Sequence, residues 1–169
     1  PITHHDDGKN MKSIDIHAHL IPNSMWKAVD EKKEWHGFRY EAGEGLGAMV
    51  GGGMRTGFTS PKLRFTAEQR VKDMDEQKVD VQVLSIHMPF VGYHLDGAQG
   101  LALAREFNDE LGATVRQNTA RFAGLATLPM QDVKSAIGEL ERAVTRLGLK
   151  GAALDTQVNG KQWDEPEFL

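Results

Sequence analysis

The sequence predicts an α/β fold built on a parallel sheet, and three observations carry that expectation. Four segments of strand length and β-forming composition follow one another along the chain, at 13–21, 79–86, 121–128 and 150–155. Segments with apolar residues at helical spacing stand before the second, third and fourth of them. Prolines at 22, 89 and 129 close the first three. Strands that alternate with helices pair in parallel through right-handed crossovers. Helix-linked repeats of this kind fit either a doubly wound sheet or one half of a barrel, and periodicity alone does not choose.

Ile14, Ile16, Leu20 and Ile21 make 13–21 the first strand. The segment from about 23 to 65 reads as a long irregular loop, with glycine at 43, 45, 47, 51, 52, 53 and 57. A connection of that length is either functional or disordered. Thr66 opens a helix, and Gln69 three residues on completes a capping box, with Val71 and Met74 as its apolar stripe. The second strand is VDVQVLSI, 79–86. A helix over about 98–118 repeats Ala104, Phe107, Leu111 and Val115 at helical spacing, and RFAGLATL, 121–128, is the third strand. Asp132 caps a helix striped by Ile137, Leu140, Val144 and Leu147, with Gly148 as its stop. KGAALD, 150–155, is a short fourth strand, and 163–169 opens a further helix.

Composition excludes several classes of function. Hydrophobic residues at 40% and charged residues at 26% suit a soluble globular protein. A net charge of −4 with both signs interspersed leaves no nucleic-acid footprint, and no apolar run is long enough to span a bilayer. Cysteine is absent, so disulfides, thiolate metal sites and cysteine nucleophiles are excluded, and a cytoplasmic setting is expected. Any metal must be held by nitrogen and oxygen donors. Residues 1–12 read as a disordered leader or an added remnant, with Met11 a possible natural start.

The chemistry concentrates in Asp15-Ile16-His17-Ala18-His19. Alternate residues of a strand share a face, so His17 and His19 project together, with Asp15 one step earlier. Two imidazoles about 6–7 Å apart along a strand can converge on one ion at a barrel mouth. Catalytic zinc sites use three protein ligands plus water, so this stretch supplies two of the set. His87 ends the second strand, where it either contacts substrate or faces solvent. Asp155 ends the fourth strand and either binds substrate or caps the next turn. Arg55, in the glycine-rich segment, could pair with a substrate carboxylate through its two-pronged guanidinium, with Arg64 as competitor. The glycine cluster lacks phosphate-loop spacing and reads as a mobile lid or as disorder.

IDIHAHLIP resembles the first-strand metal motif of the amidohydrolase superfamily, and within it the branch of 2-amino-3-carboxymuconate-6-semialdehyde decarboxylase and related aromatic-acid decarboxylases. RVKDMDEQKVDVQVLS (70–85), FNDELGATVRQNTARFAGLATLPMQ (107–131) and GLKGAALDTQVNGKQWDEPEF (148–168) resemble that branch in order and spacing. The resemblance implies a parallel (β/α)8 TIM-barrel-type fold, with about strands 1–4 and the glycine-rich loop insertion in residues 13–169. A whole barrel needs about 250 residues, against 169 here. His17 and His19 are then the first-strand ligands of zinc, or of another divalent metal such as manganese. A strand-five histidine ligand, the catalytic histidine of strand six and an aspartate of strand eight fall beyond Leu169, so no catalytic residue is expected within this chain.

The activity so implied is metal-dependent decarboxylation of an aromatic or muconic-type carboxylic acid. Hydrolysis of an amide-like or lactone bond, and a non-catalytic half-barrel fragment, are the alternatives. The expected partners are a small-molecule carboxylate substrate and either the missing C-terminal half-barrel or a second copy of the chain, in a homo-oligomer. Nucleic acid and membrane are not expected.

Overall fold

A computed structural model describes residues 12–169, so the leader expected over 1–12 lies outside the described residues except for Lys12. Strand β1 (Ile14–Leu20) begins a parallel sheet in the order β1-β6-β7, with β6 at Val81–Ile86 and β7 at Phe122–Gly124. The crossovers are α2 (Ala67–Gln77), which leads into β6, and α3 (Gly97–Gln117) between β6 and β7. Helix α4 (Val133–Thr145) then leads to the fourth strand segment, which joins the sheet through a parallel bridge from Ala152 to Ala126. That bridge decides between the two candidate architectures. In a doubly wound sheet the later strands return to the free side of the first strand. Here each segment adds beyond its predecessor, which is the singly wound order of a barrel, and the chain forms a partial TIM barrel.

The helix starts follow local chemistry. Thr66 Oγ1 accepts the Gln69 amide at 3.3 Å while Gln69 Oε1 accepts the Thr66 amide at 2.9 Å, the reciprocal pair expected of the capping box. Asp96 and Asp132 accept amides three residues on at 2.8 and 3.2 Å and start α3 and α4. Phe107, Leu111, Leu84 and Ile86 are fully buried in the core, and Phe90 is buried against Phe38 and Phe58.

Three expectations need correction. Residues 23–65 do not form an irregular loop. They hold α1 (Asn23–Asp30), a 3-10 turn at Pro61–Arg64 and a four-stranded antiparallel sheet of β2 (Glu34–Trp35), β3 (Phe38–Glu41), β4 (Ala48–Gly51) and β5 (Met54–Gly57). The glycine density that suggested disorder supplies the reversals instead. Gly52 and Gly53, at φ +58° and +77°, form the two-residue turn between β4 and β5, and a Cβ on Gly52 would stand 2.6 Å from the His94 ring. Phe38, Ala48 and Met49 anchor this small sheet in the core.

Second, the stripe of α4 faces outward. Ile137 is 64% exposed and Val144 44%, whereas Ala136, Glu139 and Ala143 are buried. The helix docks on α3 through its small residues and a buried ion network, which no hydrophobic count reveals. Third, residues 163–169 form only a 3-10 turn, Pro166–Phe168.

Candidate metal centre

The middle of β1 is not regular. Asp15 pairs with Gln82 and Ala18 with Leu84, so Ile16 and His17 stand opposite the single residue Val83. This is a β-bulge, a feature that re-aims side chains beside active sites. The His17 amide is held by Asp15 Oδ1 at 3.0 Å, and Gln82 Nε2 donates to Asp15 Oδ2 at 3.1 Å. Asp15 therefore braces the bulge with both carboxylate oxygens. The imidazoles of His17 and His19 meet edge to face with ring centroids 4.8 Å apart, closer than the ~6–7 Å between alternate residues of a regular strand.

His87, directly after β6, brings a third imidazole to the group, its ring centroid 5.0 Å from that of His19. Its Nδ1 is buried without a partner. Burial first, then the neighbouring His19 and His17, push its pKa down. His19 is half-buried, and burial followed by the proximity of His17 holds its pKa below the ordinary value. Both shifts favour the neutral imidazole, which is the form that donates a lone pair to a cation.

Second contacts orient His19. Its Nδ1 lies 3.1 Å from the Ile86 carbonyl oxygen and 3.4 Å from Ser85 Oγ. A carbonyl can only accept, so Nδ1 carries the proton and Nε2 presents its lone pair. On the far side, Arg70 Nη2 donates to the His19 carbonyl oxygen at 2.7 Å. A cavity of about 290 Å³ runs along this end of the strand, with Asp15, His17, His19, Arg70 and Gln82 in its lining.

The remaining positions singled out in the sequence lie elsewhere. Arg55 is exposed on β5, pairs with Glu41 Oε2 at 3.3 Å and lines a separate cavity with Glu44, Gly45 and Phe58. Asp155 accepts the Thr156 amide through Oδ1 at 2.6 Å, and its carbonyl accepts Trp163 Nε1 at 3.0 Å. Its carboxylate thus serves its own turn. Arg64 pairs with Asp30 and stacks over Trp26.

Gln82, Ser85 and Arg70 escaped the sequence reading. Gln82 and Ser85 were visible as polar breaks in an apolar strand. Arg70 stands four residues before Met74, hence on the buried face of α2, where an arginine signals a specific partner.

Two nitrogen donors of this kind fit zinc, manganese or another divalent ion. Among the described residues no three His, Cys, Asp or Glu side chains close around one point.

Three comparisons bear on this geometry. The family profile described as amidohydrolase matches residues 14–169. The chain is 32% identical to 2-amino-3-carboxymuconate-6-semialdehyde decarboxylase of Dictyostelium discoideum over 92% of its own length and 44% of that protein's. Its structure is similar to 5-carboxyvanillate decarboxylase from Sphingomonas paucimobilis, with a TM-score of 0.69 and 27% identity, covering 93% of this chain and 46% of that one. It is also similar to a dihydroxybenzoic acid decarboxylase from Polaromonas solved with bound manganese and the inhibitor 2-nitroresorcinol, with a TM-score of 0.64 and 26% identity, covering 94% and 44%. The chain spans less than half the length of each.

Proposed function

The chain belongs to the amidohydrolase family, and from that premise we propose that it contributes the first-strand half of a divalent-metal site to a decarboxylase acting on an aromatic or muconic-type carboxylic acid. The convergence of the His17 and His19 rings at 4.8 Å is the observation that carries the reading. His19 offers Nε2, because Ile86 engages Nδ1, and His17 stands beside it at the open end of the strand. A divalent cation held there supplies Lewis acidity and an acidified water. Zinc and manganese both accept these donors, and manganese is the metal in the Polaromonas relative.

In this reading His87 faces the substrate from the end of β6, with its ring packed edge-on against Phe90. Arg55 meets the substrate carboxylate only if the small antiparallel sheet carries it toward the barrel mouth, and Asp155 acts through the turn that it caps. The family's general acid–base histidine belongs to a later strand. Decarboxylation is favoured over hydrolysis because the relatives named above are decarboxylases, which is reasoning by family analogy. The same reading takes the enzyme to be a homo-oligomer in the cytoplasm. Among the described residues no helix is long and apolar enough to cross a membrane.

Metal analysis tests the site directly. Purified chain should take up zinc or manganese, and the His17→Ala/His19→Ala variant should lose that uptake. Equal metal content in the two would end the metal reading. Carbon dioxide release from ortho-hydroxy and ortho-amino aromatic acids and muconic acids, assayed with the complete parent polypeptide, tests the reaction class. Release of an amine from amide substrates, or ring opening of lactones to hydroxy acids, in its place would favour hydrolysis.

A further inference from the structure

We infer that Arg70 is a positioning residue for the metal site, clamping the main chain of His19 so that its imidazole stays aimed at the ion. This rests on His17 and His19 holding a metal, as proposed above. Arg70 is only 7% exposed, yet among the described residues no carboxylate lies within ion-pairing distance of its guanidinium. The acid on its own helix, Asp73, is taken by Lys62 and Gln77. Asp15 is occupied by the His17 amide and by Gln82. The Nε of Arg70 is buried without a partner.

A buried guanidinium with no direct ion pair is costly, and the nearby Asp73 and Asp15 carboxylates, which favour its charge, are engaged elsewhere. What Arg70 does have is a 2.7 Å hydrogen bond to the carbonyl oxygen of His19, across 51 positions of sequence. That carbonyl belongs to the peptide joining His19 to Leu20. Holding it fixes the backbone torsion next to the His19 Cα, while the Ile86 carbonyl fixes the ring through Nδ1. The residue is therefore pinned from both ends, main chain by α2 and side chain by β6. The bulge lies at Ile16 and His17 and pairing with β6 resumes at Ala18, so the clamp acts where the strand has just re-entered the ladder. Partners one step removed from the metal, when lost, lower affinity by roughly 10- to 100-fold.

The test titrates Zn2+ into the wild-type chain and its Arg70→Lys and Arg70→Ala variants, with the His17→Ala/His19→Ala variant as control. Circular dichroism establishes that each is folded, and the His19 carbonyl 13C resonance is followed in parallel. Arg70→Ala should bind Zn2+ roughly tenfold more weakly, and millimolar guanidinium should restore much of the loss by re-occupying the site. Arg70→Lys keeps the charge and the helix but not the fork, so its affinity should fall between the two and its His19 carbonyl resonance should move. Wild-type affinity together with an unmoved carbonyl resonance in the folded Arg70→Lys variant would overturn the inference, even if Arg70→Ala failed to fold. If wild type and the double-histidine variant took up Zn2+ alike, the metal reading would fall by itself, and Arg70 would be judged on the carbonyl resonance alone.

Discussion

At the scale of single residues, the site depends on which nitrogen of His19 carries its proton. The Ile86 carbonyl opposite Nδ1 requires the Nδ1–H tautomer, and a pKa lowered first by burial and then by His17 keeps the ring neutral near pH 7. Long-range 15N–1H correlation spectra of the metal-free chain should therefore show His19 protonated at Nδ1 and bare at Nε2. A predominant Nε2–H form would leave the ring aimed wrongly for a cation. His17 and His19 were legible in the sequence because strand alternation is local: the two side chains share a face whatever the rest of the chain does. Arg70, Gln82 and Ser85 were not, since their partners lie 51 to 67 positions away.

Among the elements, α3 and α4 meet through a buried polar knot. Glu139, 1% exposed, accepts from Asn108 Nδ2 at 2.7 Å and from Arg142 Nη2 and Nε at 2.8 Å, with Arg105 Nε at 3.4 Å. Asn108 also bridges to Thr127, binding its amide through Oδ1 and its carbonyl through Nδ2, and so ties α3 to the end of the third strand segment. Burial pushes the Glu139 carboxyl up, but the hydrogen bonds from Arg142 and Asn108 outweigh it and leave the pKa below the ordinary glutamate value. A carboxylate depressed in the folded state adds stability above its unfolded pKa of about 4.3, and that contribution is lost as pH falls through the lower folded value. Glu139→Gln should cost about 1–3 kcal/mol at pH 7 in denaturant unfolding, and should flatten the acid limb of the stability profile below about pH 4.3. An unchanged acid limb would show that the knot contributes nothing through ionisation. The same packing explains why the apolar stripe of α4 misled: a helix can bury its small residues and one satisfied carboxylate and leave Ile137 and Val144 outside.

For the molecule as a whole, β1 is the edge of the parallel sheet, and it displays Ile14 at 56% and Ile16 at 77% exposure. An apolar edge strand with free backbone groups recruits other chains. The isolated chain should self-associate in sedimentation velocity with rising concentration, and Ile16→Lys should shift it toward monomer by placing a charge on that edge. A concentration-independent monomer for both proteins would show the edge to be already protected.

What the sequence determined unaided was the order of the parallel strands and the helices between them, the capped helix starts and the paired histidines, all of them set by interactions within a few residues. Only the tertiary structure decided the rest. It placed the fourth strand segment beyond the third, folded the glycine-rich stretch into an antiparallel sheet, turned α4, and bulged β1 so that two rings converge. These outcomes depend on which distant backbone groups find partners and which faces find cover, and neither is encoded in the spacing of residues along the chain.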